Sequence, residues 1–369
     1  MTNFRTILMG TAAVGLSVAA FSSAQAGEVE KSATFSGHVA RMIGVVDNGD
    51  SSNLLAEDSD RSGSRIYIGG SAVSETLTMG AKMQFRPDGG GNSSINSTSG
   101  GTVSQMQSYV YVTNSMGTLT VGSITQAGGA YNMHSSSFSG AQGLGADSNG
   151  TPFGAGQFTV STDKDTEENT GAKVSGSGAY TTSSGHGVQY SSPEFNGFSV
   201  GAGLAGGATE GGLGEVASAW VAYNADYDGT KITAHWVGSS TAGDSTTVDS
   251  IQNAGLGVEL ANGINAALGW GDKSMATGSL LSPRAWYGEL GYDMSVNDMG
   301  ETSIMVNYSN QDETVADTGD YDMWALNVEQ NMDDYGTTIF GGIARQDYSI
   351  TGTNYDDVVT SWIGLKVAF

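Results

Sequence analysis

Apolar and polar residues alternate along most of this chain in runs of about ten residues. Leu77 to Arg86 is the clearest: Leu77, Met79, Ala81, Met83 and Phe85 share one side, and Thr78, Lys82, Gln84 and Arg86 share the other. That period of two is the mark of a half-buried strand. It recurs in Lys231 to Trp236, where Ile232, Ala234 and Trp236 oppose Lys231, Thr233 and His235. Thr302 to Tyr308 repeats it, as do Ile363, Leu365, Val367 and Phe369 at the end of the chain. Val216–Asn224 and Arg284–Met294 carry aromatics on both faces, which suits the interface girdles of a membrane barrel.

The connections between these runs alternate in length. Short ones, rich in Gly, Asn and Asp as tight turns are, fall near Ser74–Thr76, Asn114–Gly117, Pro193–Gly197, Asp226–Thr230, Ala261–Gly263, Ser295–Gly300 and Asn331–Gly336. Long polar ones fall near Asp47–Gly63, Pro87–Thr102, Gln126–Gly185, Ala205–Glu215, Ser239–Ser250, Asp272–Ser282, Ser309–Asp320 and Gln346–Asp357. Seven short turns and eight long loops predict an all-β transmembrane antiparallel barrel of about sixteen strands, with both termini on one rim. A sandwich or propeller would also show short strands, but neither predicts strictly alternating loop lengths. Tandem Gly-Gly-x-Gly-x-Asp repeats, which would mark a calcium β-roll, are absent.

Gln126–Gly185 differs from every other connection. It spans 60 residues of glycine, serine and small polar types, followed by a charge cluster. A loop of this length without its own regular pattern is usually functional or disordered. It is expected to fold into the barrel mouth and narrow a pore.

Composition supports a chain that is apolar on one face only. Apolar residues make up 38%, below the usual 45–50% of soluble domains, with 56 glycines and 4 prolines. A barrel with lipid outside and water inside needs apolar residues on only one side of each strand. Cysteine is absent, which excludes disulfides and thiolate metal sites. Residues 1–26 have a basic Arg5, an uncharged run from Thr6 to Ala24 and an Ala24-Gln25-Ala26 ending. These describe a secretory signal peptide cleaved after Ala26, leaving 27–369 as the barrel domain. The formal charge is −24, or −25 once that segment and its single charge are removed. So acidic a chain offers no basic patch for nucleic acid.

Several short stretches resemble the trimeric general porins of Gram-negative outer membranes. Phe35-Ser36-Gly37-His38-Val39 is similar to that family's first strand, and Ser62-Gly63-Ser64-Arg65-Ile66 to the approach to its second. Gly117-Thr118-Leu119-Thr120-Val121-Gly122 resembles the fifth strand, before the constriction loop. The most specific match is Tyr190 to Phe198, similar to a Tyr-x-Ser-Pro-x-Phe-x-Gly-Phe turn. Phe369 after Val367 and Leu365 resembles the C-terminal signature read by the barrel-assembly machinery. The resemblance implies a homotrimer in outer-membrane lipid and lipopolysaccharide, with the third loop folded inward, passing small hydrophilic solutes. The central segment is longer than that loop usually is. Gln157–Ser161 has the pattern of an added strand, and a further hairpin would give eighteen strands, the architecture of sugar-selective porins.

The chemistry of such a pore is electrostatic. Alternation puts Arg65, Lys82, Arg86, Lys231 and His235 on lumen faces, Lys82 at mid-strand and Arg65 and Arg86 near strand ends, where pairing with loop carboxylates or lipopolysaccharide is the alternative to a pore role. Their acidic counterparts are expected on the central loop: Asp147, Asp163, Asp165, Glu167 and Glu168. Acid opposite base would set a transverse field across the narrowest level. The crowding of carboxylates at the mouth predicts modest cation selectivity. Arg41 shares parity with Phe35, Val39 and Ile43, so a bulge or a subunit contact must account for it. His38, His134, His186 and His235 are dispersed and stand in no catalytic or zinc motif, so no enzyme is predicted. No cofactor is required. Asp58-Ser59-Asp60 and Asp320-Tyr321-Asp322 offer oxygen ligands for loop-bound calcium, though solvated carboxylates explain them as well. The competing function is a structural or adhesive barrel, plugged by its own central loop.

Overall fold

The structure is a computed structural model that describes residues 29–49, 52–58, 63–87, 103–124, 131, 135–138, 185–206, 216–241, 248–275, 284–312, 319–350, 353–354 and 356–369. Its strands run as β1 (Glu30–Asp47), β2 (Ser52–Asp58), β3 (Arg65–Val73), β4 (Thr78–Arg86), β5 (Ser104–Asn114) and β6 (Gly117–Ile124). Then come β7 (Gly185–Ser191), β8 (Phe198–Ala205), β9 (Val216–Tyr227), β10 (Thr230–Thr241), β11 (Val248–Glu259) and β12 (Ile264–Met275). The last are β13 (Arg284–Asn297), β14 (Gly300–Asp312), β15 (Gly319–Met332), β16 (Thr337–Ile350), β17 (Thr353–Asn354) and β18 (Val358–Ala368).

These runs make sixteen staves, not eighteen. The N-terminal part of β1 pairs with β3 and its C-terminal part with β2, so β2 and β3 are two lengths of one stave. In the same way β17 and β18 both lie along β16. The ring closes where β1 meets β18, from His38 opposite Ala368 to Asp47 opposite Val359. Every pairing is antiparallel. The eighteen-stave alternative is corrected by the ladder from β6 to β7, Thr118 opposite Ser191 through Ile124 opposite Gly185. With both edges used, no hairpin can stand between them; Gln157–Ser161 lies outside the described residues.

Two hairpins show how the sequence sets the short turns. Asn196-Gly197 has φ of 50° and 82°, and Asp228-Gly229 has 52° and 84°. Consecutive positive φ is the type I′ geometry whose twist matches the flanking strands. Strands run further into the long connections than expected. β2 occupies part of Asp47–Gly63, β14 continues to Asp312 and β16 to Ile350. Polar residues suffice there because the strand ends stand in water or headgroups rather than in hydrocarbon.

The outer face is apolar. Val39, Ile43, Met79, Met83, Leu268 and Leu290 are all exposed on it. Trp286 and Trp324 are more than half exposed towards the long-loop rim, with the Tyr308 ring tilted against that of Trp324 at 4.6 Å. Phe35, Tyr335 and Phe369 mark the short-turn rim. The mixed aromatics of β9 and β13 fall on both faces, as their pattern predicts. Trp220 and Tyr287 are buried inside, while Val221, Trp286 and Tyr292 point out.

Phe369 completes the closure: its N–H donates to Gly37 O at 2.9 Å and its own carbonyl accepts from Gly37 N–H at 2.9 Å. Its ring lies 6.0 Å from that of Phe35. A Cβ on Gly37 would come within 2.6 Å of that ring and 2.5 Å of the Arg65 carbonyl. Deleting Phe369, or replacing Gly37 with Val, should therefore lower the folded, heat-modifiable species in membranes several-fold, as read by unheated gel electrophoresis.

Candidate functional site

Inward-facing residues of β3 and β4 build a basic wall. Arg65 Nη1 lies 2.6 Å from Met106 Sδ, and Gln84 Nε2 approaches the same sulfur at 3.5 Å. Lys82 Nζ stands 5.3 Å from the centre of the Tyr67 ring, a cation–π contact. The Arg86 guanidinium lies over Gly63, whose φ of +53° and missing side chain make room for it. Arg65, Lys82 and Arg86 are thus brought together on neighbouring strands. Lys231 stands apart, exposed one residue from the start of β10 at the short-turn rim. Both Glu259 carboxylate oxygens accept from it at 3.1 Å.

Beyond the ring closure, β13 presents Glu289 nearly opposite β4, and β15 presents Glu329 four staves from β3, both buried on the inner face. Tyr287 donates its hydroxyl hydrogen bond to Glu289. These two acids were legible: Glu289 has the parity of Ala285 and Tyr287, opposite Trp286 and Leu290. Asp147, Asp163, Asp165, Glu167 and Glu168, the expected acids, lie outside the described residues.

The described part of the central loop, Tyr131 and residues 135–138, lies inside the barrel against β8–β11. The Tyr131 ring stacks on His235 with centroids 5.3 Å apart and planes 26° apart, and sits 5.1 Å from Trp220. Its carbonyl accepts from Asn253 Nδ2 at 3.1 Å, and its hydroxyl reaches Ser199. Ser136 Oγ and His235 Nδ1 share a hydrogen bond of 2.9 Å. Two glycines of β11 admit the loop backbone. A Cβ on Gly257 would sit 1.8 Å from the Ser136 carbonyl oxygen, and one on Gly255 2.8 Å from Ser136 Oγ. His235, expected on the lumen face, is buried there as the loop's seat. Tyr131 and Ser136 carry no periodic signal and could not be singled out from the sequence.

The remaining histidines do not converge. His38 Nε2 contacts Gly63 O at 2.7 Å, His186 is exposed at the start of β7, and His134 lies outside the described residues. Among the described residues, no three His, Asp or Glu are grouped to hold a metal ion. Asp322 accepts from Tyr308 and, at 3.2 Å, from Asn310. Arg41 points outward, in register with Asp58 and Leu365.

A closed sixteen-stave barrel with a polar lumen and a loop docked inside it matches a family model described as Gram-negative porin, over residues 10–351. The chain belongs to the Gram-negative porins. No curated protein sequence matches it. The anion-selective porin from Comamonas acidovorans is similar in fold, at 18% identity and TM-score 0.59, covering 92% of this chain and 100% of that one. A trimer form of OmpT from Vibrio cholerae gives 12% and 0.58, covering 92% and 99%. OmpF of Salmonella typhi, in complex with daunomycin, gives 13% and 0.55, covering 91% and 97%.

In this porin the Tyr131–His235–Trp220 stack is worth about 1 kcal/mol per aromatic pair beyond burial. His235→Ala should loosen the loop, and Gly257→Val should displace it without removing any contact residue. Both are expected to raise single-channel conductance by tens of percent and to add flicker, measured in planar bilayers against the parent protein.

Proposed function

We propose that this porin is a passive channel for small hydrophilic solutes and ions across the Gram-negative outer membrane, modestly cation-selective and without a catalytic step. The observation that carries this reading is a closed ring of staves whose lumen is polar and receives a loop seated on its inner wall. The chain's own residues then act by charge and shape alone. A solute entering the lumen passes between the Arg65–Lys82–Arg86 wall and the carboxylates of Glu289 and Glu329 on β13 and β15.

The sign of selectivity follows from the balance of charges that line the lumen and its rims. Lys231 is held by Glu259. Around it at the short-turn rim gather Asp226, Glu301, Asp293 and Asp333. With Glu289 and Glu329 in the lumen, these six acids outnumber the five inward bases outside the Lys231–Glu259 pair, namely Arg65, Lys82, Arg86, Lys273 and Lys366. A negative vestibule concentrates cations within a Debye length of roughly 8 Å at physiological salt. The Comamonas porin, similar in fold, is anion-selective, so the fold by itself does not dictate cation preference.

The trimer form of one relative supports a homotrimer. So does the outer aromatic belt, formed by Trp236, Trp270, Trp286, Tyr308 and Trp324 on β10 to β15. At the same rim, β16, β18 and β1 present Arg345, Val359, Ser361 and Val45 instead. Tryptophan and tyrosine anchor lipid-facing strands at the headgroup level, so the sector lacking them is assigned to subunit contact. The short-turn rim, with the mature N-terminus and Phe369, is assigned to the periplasm.

Reversal potentials in a potassium chloride gradient test the selectivity. Cations should be favoured, less so as salt rises. Glu289→Gln with Glu329→Gln should weaken the preference, as should joint neutralisation of Asp163, Asp165, Glu167 and Glu168. Lys82→Glu should strengthen it. Clear anion preference would mean that the β3–β4 bases control the pore.

Orientation has its own check, made clean by the absence of native cysteine. A thiol placed by Asp320→Cys should react with an impermeant maleimide on intact cells. One placed by Asn262→Cys should react only after the outer membrane is permeabilised.

A further inference from the structure

The basic wall is also an aromatic one. Tyr67 on β3 and Tyr109 and Tyr111 on β5 face the lumen beside Lys82, and all three are half-buried. Lys82 is in register with Tyr109, Gln84 with Tyr67 and Gly80 with Tyr111. The three rings therefore descend the wall as a slanted column that crosses β4, Tyr67 on one side of Lys82 and Tyr109 and Tyr111 on the other, with the lysine at mid-height. Tyr109 and Tyr111 have centroids 6.3 Å apart. Tyr111 lies across Gly80: a Cβ there would sit 2.5 Å from its Cζ and hydroxyl oxygen. The glycine thus lets the ring rest on the sheet. Above the column stand Arg65 and Arg86, and Lys82 Nζ caps the Tyr67 ring at 5.3 Å.

Resting on the proposed porin reading, we infer that this column is a low-affinity site for planar aromatic carboxylates. An aromatic ring stacks on tyrosine while its carboxylate meets Lys82, which is held beside the rings at the right height. Small inorganic ions gain only the charge contact, and neutral aromatics only the stacking, so the pair of features selects ring and charge together. Stacking and cation contacts are each weak in a partly hydrated site. The site is therefore weak and exchanges rapidly, as a channel requires.

The experiment is block of potassium chloride current by sodium benzoate in planar bilayers, expressed as a fraction of each variant's own current. Benzoate should reduce the current in a saturable way, while acetate and cyclohexanecarboxylate at equal concentration should do so at least about fivefold less effectively, ~1 kcal/mol. Tyr109→Leu and Lys82→Gln should each raise the half-blocking benzoate concentration by a similar factor. Tyr190→Leu, on the outer face, should leave it unchanged. Equal block by all three acids, or benzoate block indifferent to both Tyr109→Leu and Lys82→Gln, would overturn the inference. Absence of potassium chloride current before any benzoate is added would instead defeat the porin reading. Saturation-transfer NMR of benzoate with the detergent-solubilised protein then decides the site: transfer lost in Tyr109→Leu upholds it, and no transfer to the parent protein refutes it.

Discussion

Everything in this molecule depends on closing one ladder of backbone hydrogen bonds. In hydrocarbon an unpaired N–H or C=O costs several kcal/mol, so a sheet edge cannot be left open. The chain meets this by bringing its two ends together: β1 carries β2 and β3 on one side and β18 on the other. Terminal Phe369 adds the last pair of bonds, to Gly37. The demands on side chains are then light, since only outward positions must be apolar. That is how a chain with 38% apolar residues and a charge of −24 can occupy a membrane.

Closure frees the inner face for polar work, and the chain divides it by sector. Bases and tyrosines collect on β3–β5, and acids on β13 and β15. Between them, β8–β11 provide a seat for the loop. Gly201 lies beneath the Trp220 ring, and Gly255 and Gly257 let the loop backbone lie against the wall. Glycine weakens an isolated strand, but here neighbouring staves hold the backbone in place. Its absent side chain becomes the space in which the loop is seated.

Much of this could be read from the sequence because a strand's period of two assigns each residue to a face. The inward positions of Arg65, Lys82 and Arg86 followed from parity alone, as did the sixteen staves from the alternation of loop lengths. Parity also assigns Glu289 and Glu329 to the inner face, so acids on the wall are as legible as the bases. What could not be read is the docking of Tyr131 and Ser136 on His235. A loop without periodicity carries no signal of where it lands, and that contact joins residues 99 positions apart in the chain. The extent of β2 was equally hidden, because its pairing with β1 is decided by the stagger of the closed ring rather than by local pattern.

The central claim is an open lumen narrowed by a seated loop. The most direct test is swelling of liposomes containing the wild-type protein in arabinose, glucose and raffinose. The account predicts entry of all but the largest sugar, with rates falling steeply as solute size rises. No swelling in any sugar would show a plugged barrel, and equal rates for all three would show that the loop does not narrow the pore.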